Sequence, residues 1–256
     1  RNRCRGTPRA RVLMAGPFGL ERQNTAISWR LFAEAAAEAG IEAVRFDYRG
    51  TGESTGSFRE ATFSAWIGDL EAVAAAISSP PAVPLFLLGL RVGGLLAAEA
   101  FARGLGDALL LWGAPASGRA ALAEVLRRRL ATDFMEGTQD RGGSSEAPAT
   151  REAYIRDLEA GVEVEVEGYP WTRALWIDAV GFELRVPPEG ETRPWLAFGL
   201  NSRPPPGVAA DKGAKIAVPR PPFWHHSPIA VPDLGDLTGA SVSFLATCLG
   251  GAEEGA

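Results

Sequence analysis

Gly89-Leu90-Arg91-Val92-Gly93 follows directly on the apolar run Leu85-Phe86-Leu87-Leu88 and leads into Gly94-Leu95-Leu96-Ala97-Ala98-Glu99-Ala100. A buried strand that enters a sharp glycine turn and leaves as a small-residue helix is the setting in which acyl-transfer enzymes present a nucleophile. The flanking glycines let the strained turn form and let the helix pack close to the sheet. A serine at the apex would attack a carbonyl, but the apex here is Arg91. A guanidinium stays protonated and cannot act as a nucleophile. Two readings of Arg91 follow. It forms a structural salt bridge in the space a serine would leave, for which Asp47 or Glu53 would be suitable partners. Alternatively it anchors a ligand, because a fixed cation beside the free N–H groups of a helix start suits a carboxylate, a phosphate or an acyl-phosphate.

The other residues of acyl-transfer chemistry are sparse. Gly52-Glu53-Ser54-Thr55-Gly56 matches the G-x-S-x-G pattern, but it lies in a loop with no helix starting at Gly56, so Ser54 is a minor candidate nucleophile. In the expected chain order a serine is followed by an acid after a later strand and then by a histidine. The acid's place after Trp195 to Leu200 holds Asn201-Ser202-Arg203, and the histidine's place falls near Pro222-Phe223. The only histidines, His225 and His226, follow just beyond; each is a candidate general base or a loop-capping residue. An oxyanion hole would use the Val92 N–H and a donor from the loop after the first strand, at Pro17 or Phe18 according to register. Pro17 carries no N–H, so only the Phe18 register supplies the second donor. His225, His226 and the nearby Asp233 fall short of a metal set, and neither a metal nor a cofactor is expected.

The elements that must hold these residues alternate along the chain. Arg11 to Ala15 reads as a short buried strand, followed by the loop Gly16-Pro17-Phe18-Gly19. Asn24 or Thr25 caps a helix with Ile27, Leu31, Phe32, Ala35 and Ala39 at helical spacing, ending at Gly40. Ile41 to Phe46 is the next strand, and Asp47 to Ser57 a glycine-rich loop. A helix capped by Thr62 runs to about Ser78, with Phe63, Trp66, Ile67, Leu70 and Val73 on one face. The elbow strand and its helix come next, then a strand at Ala108 to Trp112 and a helix from Arg119 to about Phe134. Strand-helix alternation of this rhythm predicts an α/β fold with a doubly wound, mostly parallel sheet. It breaks at a polar stretch from Glu136 to Thr150 and resumes at Trp195 to Leu200, at Lys215 to Val218, and in a helix near Asp233 to Leu249. The expected organisation is one domain over 1–256, its core at about 10–134 and 192–250. An insertion at about 135–191, rich in aromatic residues (Tyr169, Trp171, Trp176, Phe182), would form a lid over the elbow.

Composition sets the outer limits. With 256 residues, 46% hydrophobic and 22% charged, the chain can bury a large core. A net charge of −5 gives no reason to expect nucleic acid or an anionic membrane as a partner. The stretch Leu85 to Ala102 is interrupted by Arg91 and Glu99, so it reads as strand-turn-helix rather than a membrane span. Cys4 and Cys248 make no disulfide framework and suit a reducing compartment, and no signal peptide is visible; a cytoplasmic location is expected.

Several segments together resemble a known family. They are Pro17-Phe18 with Glu21 and Asn24; the run Asp47-Tyr48-Arg49-Gly50-Thr51-Gly52-Glu53-Ser54-Thr55-Gly56-Ser57-Phe58; Trp66 and Asp69; Gly89-Leu90-Arg91-Val92-Gly93; Leu111-Trp112 with Ser117-Gly118; and Val218-Pro219-Arg220-Pro221-Pro222-Phe223-Trp224. In these the chain resembles the exosortase A system-associated hydrolase 2 group, α/β-hydrolase-fold proteins whose elbow reads Gly-Leu-Arg. The similarity covers roughly residues 10–130 and the tail from 215, and is poor over 136–190. Where this group carries a histidine before Pro-Phe, this chain has Gly16. The resemblance implies an α/β-hydrolase fold and a cytoplasmic bacterial protein tied to exopolysaccharide and protein-sorting gene sets. It implies no demonstrated reaction.

Three functions fit these readings. The first is a hydrolase-like pseudoenzyme that lacks the Ser-His-Asp triad and binds an acyl or anionic ligand, or a protein partner, through Arg91, Val92, Phe18 and Pro17. The second is a true hydrolase or acyl-transfer enzyme for an ester or thioester that uses a non-standard site. The third is a structural partner subunit whose lid is an interface.

Overall fold

A computed structural model describes residues 6–78, 83–137, 150–208, 214–225 and 231–253. Six strands form one parallel sheet: β1 (Ala10–Ala15), β2 (Ile41–Arg45), β3 (Leu85–Leu90), β4 (Ala108–Trp112), β7 (Trp195–Gly199) and β8 (Ala214–Ile216), in the order β2-β1-β3-β4-β7-β8. The central strands are apolar almost throughout because both their faces are covered. Alternate residues divide between two cores: Leu13, Leu87, Leu109 and Leu111 face one side, and Val12, Met14, Leu88, Leu110 and Trp112 face the other. The expected doubly wound α/β-hydrolase architecture is what the chain adopts.

Helices cover each face. On one lie α3 (Phe63–Ile77), α4 (Val92–Ala102) and α5 (Gly118–Gly137), which contribute Trp66, Leu96 and Leu122 to the core. On the other lie α2 (Ala26–Glu38) and α8 (Gly235–Glu253), which contribute Trp29, Phe32, Leu237 and Leu245. Trp112 ties the sheet to α8 by donating its indole N–H to Ser241 Oγ at 3.0 Å. Thr62 caps α3 as the sequence predicts, its Oγ1 accepting from Ala65 N–H at 3.0 Å.

The first helical segment differs from expectation. It is two helices, α1 (Gly19–Asn24) and α2, joined at Thr25. Thr25 makes no capping bond; its hydroxyl donates back to Glu21 O at 2.8 Å. The buried face of α2 is Ser28, Trp29, Phe32, Ala33 and Ala36, and the predicted Ile27, Leu31, Ala35 and Ala39 are only half-buried. Burial of the large Trp29 indole turned the helix toward that face, a contribution that spacing of aliphatic residues does not register.

Between α5 and β7 the chain forms α6 (Arg151–Ala160), an antiparallel hairpin of β5 (Val164–Val166) and β6 (Tyr169–Trp171), and α7 (Arg173–Val180). Glu167 and Gly168 make the two-residue hairpin turn, both with positive φ (53° and 81°), the pattern of a type I′ turn. Much of the polar stretch expected at Glu136 to Thr150 lies outside the described residues. The hairpin packs its aromatics onto the sheet's upper loops: Tyr169 lies 4.5 Å from Phe58, and Trp171 5.9 Å from Phe18, between ring centroids.

Candidate functional site

The strand order reverses beside β1. The chain runs from β1 outward to β2, then returns to place β3 on the other side of β1. A crevice opens at such a switch point, at the C-terminal ends of the two diverging strands. Register pairs Ala15 with Gly89 there, so the β1–α1 loop (Gly16-Pro17-Phe18) and the β3–α4 turn stand side by side.

The β3–α4 turn is the elbow its glycines predict. Arg91 is the single residue between strand and helix, and its φ of 55° and ψ of −123° are strained for any residue with a Cβ. Its N–H donates to Trp112 O at 3.0 Å, and its carbonyl accepts from Gly94 N–H at 2.8 Å. A Cβ on Gly93 would drive into Ala15 O, and one on Gly89 would stand 2.5 Å from Gly94 Cα. The elbow closes only because those side chains are absent.

Arg91 belongs to a charged network with Glu21, Glu124, Arg128 and Glu167, of which Glu21 and Glu124 touch it directly. Its Nη2 pairs with Glu124 Oε1 of α5 at 2.8 Å, and its Nε lies 3.3 Å from Glu21 Oε2 of α1. Glu21 also accepts from Arg128 Nη1 at 2.9 Å. Arg128 reaches Glu167 Oε1 at the hairpin tip at 3.4 Å. The other Glu167 oxygen accepts from Leu20 N–H at 2.9 Å, which fastens the hairpin to the start of α1. His225 completes the cluster, with Nε2 3.8 Å from Glu124 Oε1. The Glu21 and Glu167 side chains are 6% and 7% exposed, and that of Arg91 15%.

Two guanidinium groups therefore face three carboxylates, with an imidazole beside them. Burial disfavours the Arg91 charge, but Glu21 and Glu124 together more than offset it, so its pKa stands above the ordinary arginine value. Hydrogen bonding to His225 and the charges of Arg91 and Arg128 hold Glu124 down to about 2, against burial, which would raise it.

The predicted site residues are only partly brought together. Arg91, Val92, Pro17 and Phe18 meet at the switch point, and neither the Val92 nor the Phe18 N–H has a protein acceptor among the described residues. Arg91 pairs with neither Asp47 nor Glu53. Asp47 takes a two-pronged bond from Arg22, at 2.8 Å on each oxygen, and accepts from Glu53 N–H at 3.0 Å. Ser54 donates its hydroxyl to Asp47 O at 2.6 Å, closing its own loop. Asn201 and Ser202, after β7, form a turn with positive φ. His225 joins the cluster; His226 lies outside the described residues.

Sequence reasoning missed Glu21, Glu124, Arg128 and Glu167 as site residues. Glu124 and Arg128 stand one helical turn apart on α5, a spacing that marks a shared face but not which site the face adjoins. Val162 to Val166 alternates as a strand does, but Glu167-Gly168 is not a strong hairpin pair and Pro170 interrupts the second segment, so the hairpin was not readable.

The profile of the family Hydrolase_4, described as serine aminopeptidase, S33, matches residues 25–163, just over half of the chain. The chain belongs to the Hydrolase_4 family. Solved structures agree with this Hydrolase_4 assignment at the level of fold. Est1E from Butyrivibrio proteoclasticus, determined with ferulic acid bound, has 17% identity and a TM-score of 0.58, over 98% of this chain and 91% of its own. A monoacylglycerol lipase from Paleococcus ferrophilus has 15% identity and a TM-score of 0.52, over 95% and 96%. A search of curated proteins finds no match. Among the described residues, no helix of this Hydrolase_4 chain is long and apolar enough to cross a membrane.

Proposed function

We propose that this Hydrolase_4 chain is a pseudoenzyme: it lacks a working Ser-His-Asp triad and holds an acyl or anionic ligand at the elbow without cleaving it. The observation that carries the loss of acyl transfer is Arg91 at the strained apex; its pairs with Glu21 and Glu124 are those of the structural salt bridge, so a ligand would be held mainly by the groups beside it. A protonated guanidinium in the nucleophile's place has no lone pair for acyl transfer. Its Nη1 donates to Gly113 O in a long bond of 3.5 Å, and a ligand oxygen would take the second N–H of that nitrogen. The free Val92 and Phe18 amides lie alongside and would take the same oxygen. The insertion at about 135–191 is the lid in this reading, and Glu167 is its latch. The resemblance to the exosortase-associated group supports a cytoplasmic role in a bacterial exopolysaccharide-linked system.

One observation favours a second reading, a true ester or thioester hydrolase. His225 and Glu124 form an acid–base pair beside the elbow, and such a pair can orient a water toward a bound carbonyl. A fluorophosphonate probe and a p-nitrophenyl ester assay, applied to wild type and to Arg91→Ser, separate the two. The binding reading expects an unlabelled, inert wild type. Turnover by wild type that is lost in His225→Ala would establish the second reading, and a labelled wild-type serine would name a nucleophile and overturn the first.

A further inference from the structure

A second cavity lies outside the elbow. It encloses about 330 Å³ at the C-terminal ends of β1 and β2, on the side of the sheet covered by α2. Gly16 separates the two places: its carbonyl lies against Gly93 of the elbow, while its missing side chain leaves room toward Trp29 on the cavity wall. A Cβ at Gly16 would stand 3.5 Å from Trp29 Nε1, in ordinary contact, and the backbone there is not left-handed. A larger side chain at this position would reach toward the cavity wall.

Two polar groups on the wall have no protein partner among the described residues. Trp29 is 6% exposed as a residue and stacks on Trp112, centroids 5.7 Å apart, and its indole N–H, open to the cavity, has no protein acceptor among the described residues. An indole N–H is a donor only, so this one can bond an acceptor that enters the cavity. Arg45, exposed at the rim, forms no ion pair among the described residues. The one carboxylate on the wall, Asp47, is already held by the Arg22 fork. The rest of the lining includes Met14, Pro17 and Phe46, an apolar floor.

We infer that this cavity is a binding site for a small monocarboxylate with a flat or short apolar body. The carboxylate would pair with Arg45, an oxygen would accept from Trp29 Nε1–H, and the body would lie against Met14 and Phe46. The volume is that of a small-molecule pocket, and a cation at the rim with one indole donor on the wall selects an anion over a neutral isostere. This site does not depend on the reading of Arg91.

Isothermal titration of wild type with phenylacetate, hexanoate and the neutral phenylacetamide tests the inference. At least one carboxylate is expected to bind, and the amide to bind at least about tenfold more weakly, the difference one charged hydrogen bond makes. Arg45→Gln is expected to weaken carboxylate binding by a similar factor. Gly16→Val is expected to abolish it by filling the space, while Arg30→Gln, on the exposed face of α2, leaves it unchanged. Circular dichroism of each variant confirms the fold, and the exposed Arg45 position keeps the test open if Gly16→Val does not fold. No binding of either carboxylate at about 10 mM overturns the inference, since a charge pair with apolar contact should give a Kd of about 1 mM or below. Equal binding of the amide also overturns it. Binding lost in Arg91→Gln but kept in Arg45→Gln overturns it too, and places the ligand at the elbow instead.

Discussion

Arg91 Nη2 and Glu124 Oε1 stand 2.8 Å apart, joining the apex of the elbow to the middle of a helix on the same side of the sheet. The pair decides how an always-charged side chain is tolerated at a nearly buried position. Removing one member of a buried pair leaves the other uncompensated. Glu124→Gln should therefore lower stability by about 1–3 kcal/mol, less than for a fully buried pair because Glu124 is partly open to solvent. Urea unfolding should show a lower midpoint at unchanged m-value. The loss should shrink when Arg91→Met is already present, and a cycle of the two variants measures the coupling.

The same carboxylate sets an acid limit. Glu124 titrates near 4.5 when free and at about 2 in the fold, so the folded state binds its proton less readily. Its contribution is complete above pH 4.5 and is lost as pH falls toward 2. The full shift would be worth about 3 kcal/mol, and solvent access reduces this to about 1–3 kcal/mol. Between those pH values wild type should lose stability more steeply than Glu124→Gln, as read from urea midpoints at each pH. Parallel curves would dissociate Glu124 from the acid response.

Glu167 latches the hairpin through Leu20 N–H and Arg128. Glu167→Ala should raise amide exchange across Val164–Trp171 while the β3 and β4 amides keep their protection. Global stability should change by about 1 kcal/mol, because the hairpin's aromatic packing survives the substitution. Unchanged exchange in the hairpin would show that aromatic packing alone holds it down.

Two glycines on neighbouring turns should respond in opposite ways. Gly93→Ala pushes a methyl group into the backbone carbonyl of Ala15, which cannot move without breaking the sheet. A loss of about 3 kcal/mol or failure to fold is expected. Gly16→Ala places its methyl in the cavity at ordinary contact distance, so a change within about 1 kcal/mol is expected. Thermal denaturation of the two variants gives the comparison directly.

The strands, the elbow and the capped α3 were legible in the sequence because each rests on near neighbours: runs of apolar residues, glycines at a turn, a threonine before a helical pattern. Even the conformation of Arg91 follows from its flanking glycines. The division of the first helix at Thr25 was not legible, since burial of Trp29 against the sheet overrode local spacing.

The chain by itself determined the fold class and placed a cation where chemistry would need a nucleophile, because sterics and hydrophobic periodicity act over a few residues. Only the tertiary structure decided which groups that cation meets. Glu21 lies 70 positions from Arg91, and Glu167 lies 147 from the Leu20 amide it binds. Such partners are chosen by the order of strands and the helices that cross them, and charge pairing carries no sequence period by which it could be read in advance.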